Sequence, residues 1–167
     1  MGDIRVVFGY KCFNEDLTNR YGFKFEIGKS YKVDGIIKFG INGNGFHMCK
    51  RLEDTLRYFD AMNLEVSICE VVGNGEIVSF YDEYNGYDDM YAVEKISIIR
   101  KIDREEIISM MLNVNEVRAL RFLQLYKLNN DELGLFQDRF KNNVMILDII
   151  DYYQYGIKDV YTRKYKK

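Results

Sequence analysis

The single histidine, His47, lies in the segment Gly43-Asn44-Gly45-Phe46-His47-Met48-Cys49-Lys50, with a thiol two residues on. An imidazole can serve as a general base or a metal ligand, and a thiolate can serve as a nucleophile. At a period of two, His47 and Cys49 share one face of an extended strand. One His and one Cys are too few for a structural zinc site, which takes four nitrogen or sulfur ligands in closely spaced pairs. A Cys–His nucleophilic pair needs an acid to orient it, and none is evident at this spacing. The plainer reading of His47 is a packed, hydrogen-bonded side chain where the chain enters a helix. Phe46 and Cys49 then read as binding residues beside it, and no metal site is predicted.

Two other stretches carry candidate chemistry. Gly40, Gly43 and Gly45 precede a helical pattern, but no lysine followed by Ser or Thr completes a phosphate loop. They read as a flexible hairpin tip or lid. The acidic stretch Asp82, Glu83, Asp88 and Asp89 lacks the spacing of a calcium loop and reads as solvated. The tyrosines around it, Tyr81, Tyr84, Tyr87 and Tyr91, are more informative. Tyrosine is an enriched interface anchor, so Tyr84 and Tyr87 are candidate protein-binding residues, against the alternative that they pack back on the sheet.

The elements that must position these residues follow from composition and periodicity. The chain has 167 residues, 47% apolar and 30% charged, with no proline or tryptophan but 14 tyrosines and 11 phenylalanines. Aromatic side chains must therefore supply much of the core. A formal charge of −2 argues against a general nucleic-acid binder. Only the tail, with Lys158, Arg163, Lys164, Lys166 and Lys167, has a basic excess that could touch phosphates. Cys12, Cys49 and Cys69 form no C-x-x-C pair, which predicts reduced thiols. No apolar run reaches membrane-spanning length, and the first residues lack a signal-peptide pattern. Together these predict a cytoplasmic protein without a membrane segment.

Eleven of the thirteen glycines precede residue 103. A glycine-rich half with period-two alternation, followed by a Leu/Ile-rich half with helical spacing, predicts an α+β protein. The expected architecture is a twisted, mostly antiparallel sheet with one packed helix over residues 1–102, then a helical C-terminal unit over 103–167. Strands are expected over 4–12, 23–27, 30–33, 36–39, 64–72, 77–81 and 90–102. Asp34-Gly35 predicts a tight hairpin and Gly73-Asn74-Gly75 a turn. Leu52, Leu56, Phe59 and Met62 fall on one face of a helix over 51–62. Asp103 and Glu106 suggest a capping box. Asn115 caps a second C-terminal helix, a third covers 132–141, and a fourth starts at Asn142-Asn143 and closes at Gly156.

Read in order, several motifs resemble a known domain. They are Tyr10-Lys11-Cys12-Phe13, Gly28-Lys29-Ser30-Tyr31, Gly45-Phe46-His47-Met48-Cys49 and the strand from Tyr91 to Ile99 followed by Arg100. The series is similar to an uncharacterised domain common in bacteriophage and bacterial proteins, with Cys12 where that family usually has glycine. In some members short helical repeats with an E-V-R element follow, similar to Glu116-Val117-Arg118. The resemblance implies a phage or mobile-element origin and no known chemistry. A fainter similarity is to the ADP-ribosyltransferase fold. It would place Tyr10, His47 and a carboxylate, Glu94 or Asp89, around an NAD pocket.

The function these readings favour is an intracellular protein-interaction module with a host protein as partner and no cofactor. The alternative is an ADP-ribosyltransferase-like enzyme, active or degenerate, with Tyr10, His47 and Glu94 as its catalytic residues and NAD as its cofactor. Neither reading sets an oligomeric state.

Overall fold

The structure is a computed structural model that describes residues 5–40, 42–82 and 87–165, with side chains described at 5–40, 42–80 and 90–156. The chain divides into two compact units, Met1–Ile102 and Asp103–Lys167. The expected α+β class holds: strands fill the first unit and helices the second.

The first unit holds β1 (Val6–Asn14), β2 (Ser30–Lys32), β3 (Phe46–Cys49), β4 (Val66–Asp82) and β5 (Tyr87–Lys101). Their order is β2-β5-β3-β1-β4, and β4 also pairs with β5, so four strands close into a ring. Every pairing is antiparallel. The ring closes between β1 and β3 through the Tyr10–Cys49 register. Inside lie Phe13, Phe25, Met48, Cys69, Val71, Val93, Ile96 and Ile98, all buried. The alternation expected of the last strand is seen: Ile96 and Ile98 point inward while Lys95 and Ile99 are exposed.

Three expectations for the strands and turns are corrected. Residues 23–27 form no strand beyond an isolated bridge from Thr18 to Lys24. Their period-two pattern instead serves an aromatic cluster, in which buried Phe25 touches Phe13, Phe23, Tyr31 and Phe46. Backbone groups here are satisfied by turns, such as Phe25 N–H to Leu17 carbonyl at 3.0 Å. Residues 36–39 form no strand and the hairpin expected at Asp34-Gly35 is not made; Lys38 instead makes an isolated antiparallel bridge to Asn44. Gly73-Asn74-Gly75 does not end a strand. β4 runs through it with shifts of register between Asn74 and Ile77, and Gly75 sits at φ 80°. A Cβ on Gly73 would lie 2.7 Å from Val93 Cγ1, so these glycines bend a continuous strand by close approach.

The helix expected over 51–62 is much shorter. It comprises α1 (Leu52–Thr55) and a 3-10 turn over Leu56–Tyr58, after which Phe59 is extended. The Thr55 hydroxyl donates to the Leu52 carbonyl at 2.7 Å, a competing bond of the kind that disfavours helix continuation. The apolar face is right where it matters: Leu52 and Leu56 are fully buried, while Phe59 is only half-buried.

The second unit carries α2 (Arg104–Leu112), α3 (Glu116–Leu125), α4 (Asn130–Arg139) and α5 (Val144–Tyr165). Asparagine does the capping. Asn115 accepts from Arg118 N–H at 3.0 Å and Asn143 from Ile146 N–H at 3.0 Å. The reciprocal capping box is made by Asn129 and Glu132. Asp103 makes no side-chain cap bond, which corrects the expectation at α2. Gly156 leaves helical geometry at φ 79°, as expected of a helix stop, but helical backbone resumes beyond it.

Candidate functional site

The sheet ring and α1 enclose one side of a cleft of ≈ 710 Å³ in the first unit. That volume suits a drug-sized ligand. β1 brings Tyr10, Lys11 and Cys12 to it, and β3 brings Phe46, His47 and Cys49. The loop after β1 adds Asn19, Arg20 and Tyr21, the loop before β3 adds Phe39 and Gly40, and the 3-10 turn adds Arg57 and Tyr58.

β3 shows how the sequence sets this arrangement. Phe46 packs against the ring core and Met48 enters it, alternation turns His47 and Cys49 to the other face, and the cleft reaches both faces of β3. The His47 ring meets the Phe39 ring edge-on at 4.9 Å between centroids. Its Nε2 accepts a long hydrogen bond, 3.4 Å, from Gly40 N–H. Burial lowers the His47 pKa to about 4, aided by the charges of Lys11 and Arg20. The imidazole is therefore neutral at physiological pH and a weak base. Burial pushes the Cys49 thiol up to about 12, with Asp54 adding to the effect. Cys12 is likewise raised to about 12 by burial. Neither thiol presents a thiolate.

The electrostatics of the cleft have one sign. Lys11, Arg20, Lys32 and Arg57 line it, and no Asp or Glu does among the described residues. The Lys11 ammonium donates to the His47 backbone carbonyl at 2.7 Å and lies 5.7 Å from the Phe13 ring centroid. Burial lowers its pKa to about 8, and the nearby Arg20 charge acts in the same direction. The Arg20 guanidinium sits against the rings of Tyr21 and Tyr58, 5.4 and 5.9 Å from their centroids. Among the described residues, no carboxylate lies within ion-pair distance of Lys11 or Arg20. Lys32 differs, since it faces Glu94 at 3.5 Å.

The structure thus brings Tyr10, Phe46, His47 and Cys49 to one cleft. Glu94 is not part of the lining. Its carboxylate accepts from Glu76 N–H at 2.9 Å, a bond that holds it below the usual carboxylate range. Asp89, Tyr84, the Tyr87 side chain and the basic tail lie outside the described residues and side chains. Arg20, Phe39, Arg57 and Tyr58 escaped the sequence reading. Arg57 lies in the pattern as an outward residue of an amphipathic helix, and Arg20 as a charge in a polar loop. Nothing in their spacing announces that a 3-10 turn and a folded-back loop would bring them together.

Fold and site define an α+β chain whose strand ring carries a cationic, aromatic-walled cleft. Residues 7–110 match the family described as Domain of unknown function (DUF7666), and the chain belongs to that family. The matched region covers all five strands but for Val6 at the start of β1, and most of α2. No curated protein and no solved structure matches the chain.

Proposed function

We propose that the first unit is a non-enzymatic binding module whose cleft takes a small ligand that joins a flat apolar part to an anionic group. The observation that carries this reading is the cleft lining itself: four cationic side chains among aromatic rings, with no acidic residue among the described ones. Lys11 and Arg20, which have no carboxylate partner among the described residues, are the groups that supply the anion contacts. Lys11 is half-buried and Arg20 exposed, and an anionic ligand reaching both gains charge-assisted hydrogen bonds. Tyr21, Phe39 and Tyr58 supply the flat contacts. A phage or mobile-element setting and a host protein partner rest on the motif resemblance and on the tyrosine-rich loop. The ADP-ribosyltransferase reading finds Tyr10 and His47 in the cleft lining but not Glu94.

The test is a thermal-shift panel of phosphate-bearing aromatic compounds on the wild-type chain and on Arg20→Gln. Loss of one charged hydrogen-bonding partner should weaken binding by about tenfold or more. Identical shifts for both proteins, or no shift with any compound, contradict the proposal.

A further inference from the structure

Lys11 offers chemistry that anion binding alone does not use. It sits on β1, midway along the ring, and its side chain lines the cleft. The groups around it are Arg20, the thiols of Cys12 and Cys49, the His47 imidazole, and the His47 carbonyl to which it donates. No described carboxylate holds the ammonium in its charged form. A half-buried amine that shares an aromatic-walled cleft with a second cation, Arg20, is the kind of arrangement in which lysine acts as a nucleophile.

We propose that Lys11 reversibly captures an aldehyde that also carries a phosphate or carboxylate, forming an imine while Arg20 holds the anion. This rests on the anion-binding reading of the same cleft. In the step, the Nζ lone pair attacks the carbonyl carbon and a C–N bond forms. The C=O π electrons move to oxygen, which takes up a proton as nitrogen loses one, giving a carbinolamine. Loss of water then leaves the C=N bond. The balance is amine plus aldehyde giving imine plus water, so no oxidant, reductant or metal enters. The lowered pKa of Lys11, about 8 against an ordinary 10.5, supports the geometry by raising the fraction of neutral amine near neutral pH.

The experiment treats the full chain with substoichiometric pyridoxal 5′-phosphate, traps any imine with borohydride, and maps the modified lysine by peptide mass spectrometry. Non-covalent binding of pyridoxine 5′-phosphate, which has no aldehyde, is measured in parallel. The expected result is adduct concentrated on Lys11, at least tenfold above any other lysine, and lost in Lys11→Arg. Its formation should rise with pH through about 8, where surface lysines would rise through 10.5. Adduct spread evenly over lysines while pyridoxine 5′-phosphate still binds overturns the imine and leaves the anion site standing. Absence of both overturns both. Mapping on the wild-type chain keeps the test valid if Lys11→Arg fails to fold.

Discussion

At the residue scale, burial acts most on Lys11, His47 and the Cys12 and Cys49 thiols among the cleft residues. His47 is held neutral by burial and by the cations beside it, with a pKa near 4 instead of 6.5. The sign of its pH effect follows. The folded state resists protonating His47 while the unfolded chain accepts the proton near 6.5, so stability falls as pH drops from about 6.5 towards 4 and levels off below. His47→Gln removes that dependence. Urea unfolding at a series of pH values should therefore show a shallower acid-side loss for the variant than for the wild type. Equal slopes would mean that His47 titrates alike in both states. The Gly43–Lys50 segment marks itself in the sequence through its lone His. The partners Arg20 and Tyr58 do not, because their approach depends on where a loop and a 3-10 turn fold.

At the element scale, the turn that carries Arg57 and Tyr58 is held down by Leu52 and Leu56, both fully buried. Leu56→Ala should cost about 2–5 kcal/mol by chemical denaturation, since a deeply packed leucine leaves a cavity its neighbours refill only in part. A loss under half a kcal/mol would show that the face is not packed as described. The apolar spacing identified this face even though the helix proved a third of its expected length. Periodicity reports which side chains go inward, whereas element length depends on competing backbone bonds such as that of Thr55 to Leu52. The same distinction explains the bent β4. Glycines at 73 and 75 read as a turn, but the tight contacts of Gly73 with Val93 and of Gly75 with Glu94 show a strand curved to close a ring. Ring closure is a long-range pairing, Tyr10 with Cys49, that no local window contains. In the second unit the signals were local and survived better: three asparagine caps stand where Asn115, Asn129 and Asn143 interrupt the apolar pattern.

At the scale of the whole molecule, the formal charge is −2, yet the cleft of the first unit is cationic. Net charge therefore says little about this site; the local potential does, focused by apolar walls. The selectivity proposed for the cleft is for an anion. Isothermal titration calorimetry with pyridoxine 5′-phosphate and with pyridoxine, which differ only by the phosphate, tests it directly. The phosphate ester should bind at least about tenfold tighter than the parent alcohol, and its binding should weaken as salt rises from about 0.05 to about 0.5 M because part of the contact is exposed to screening. Equal affinities for the two compounds, or no measurable heat with either, would contradict it.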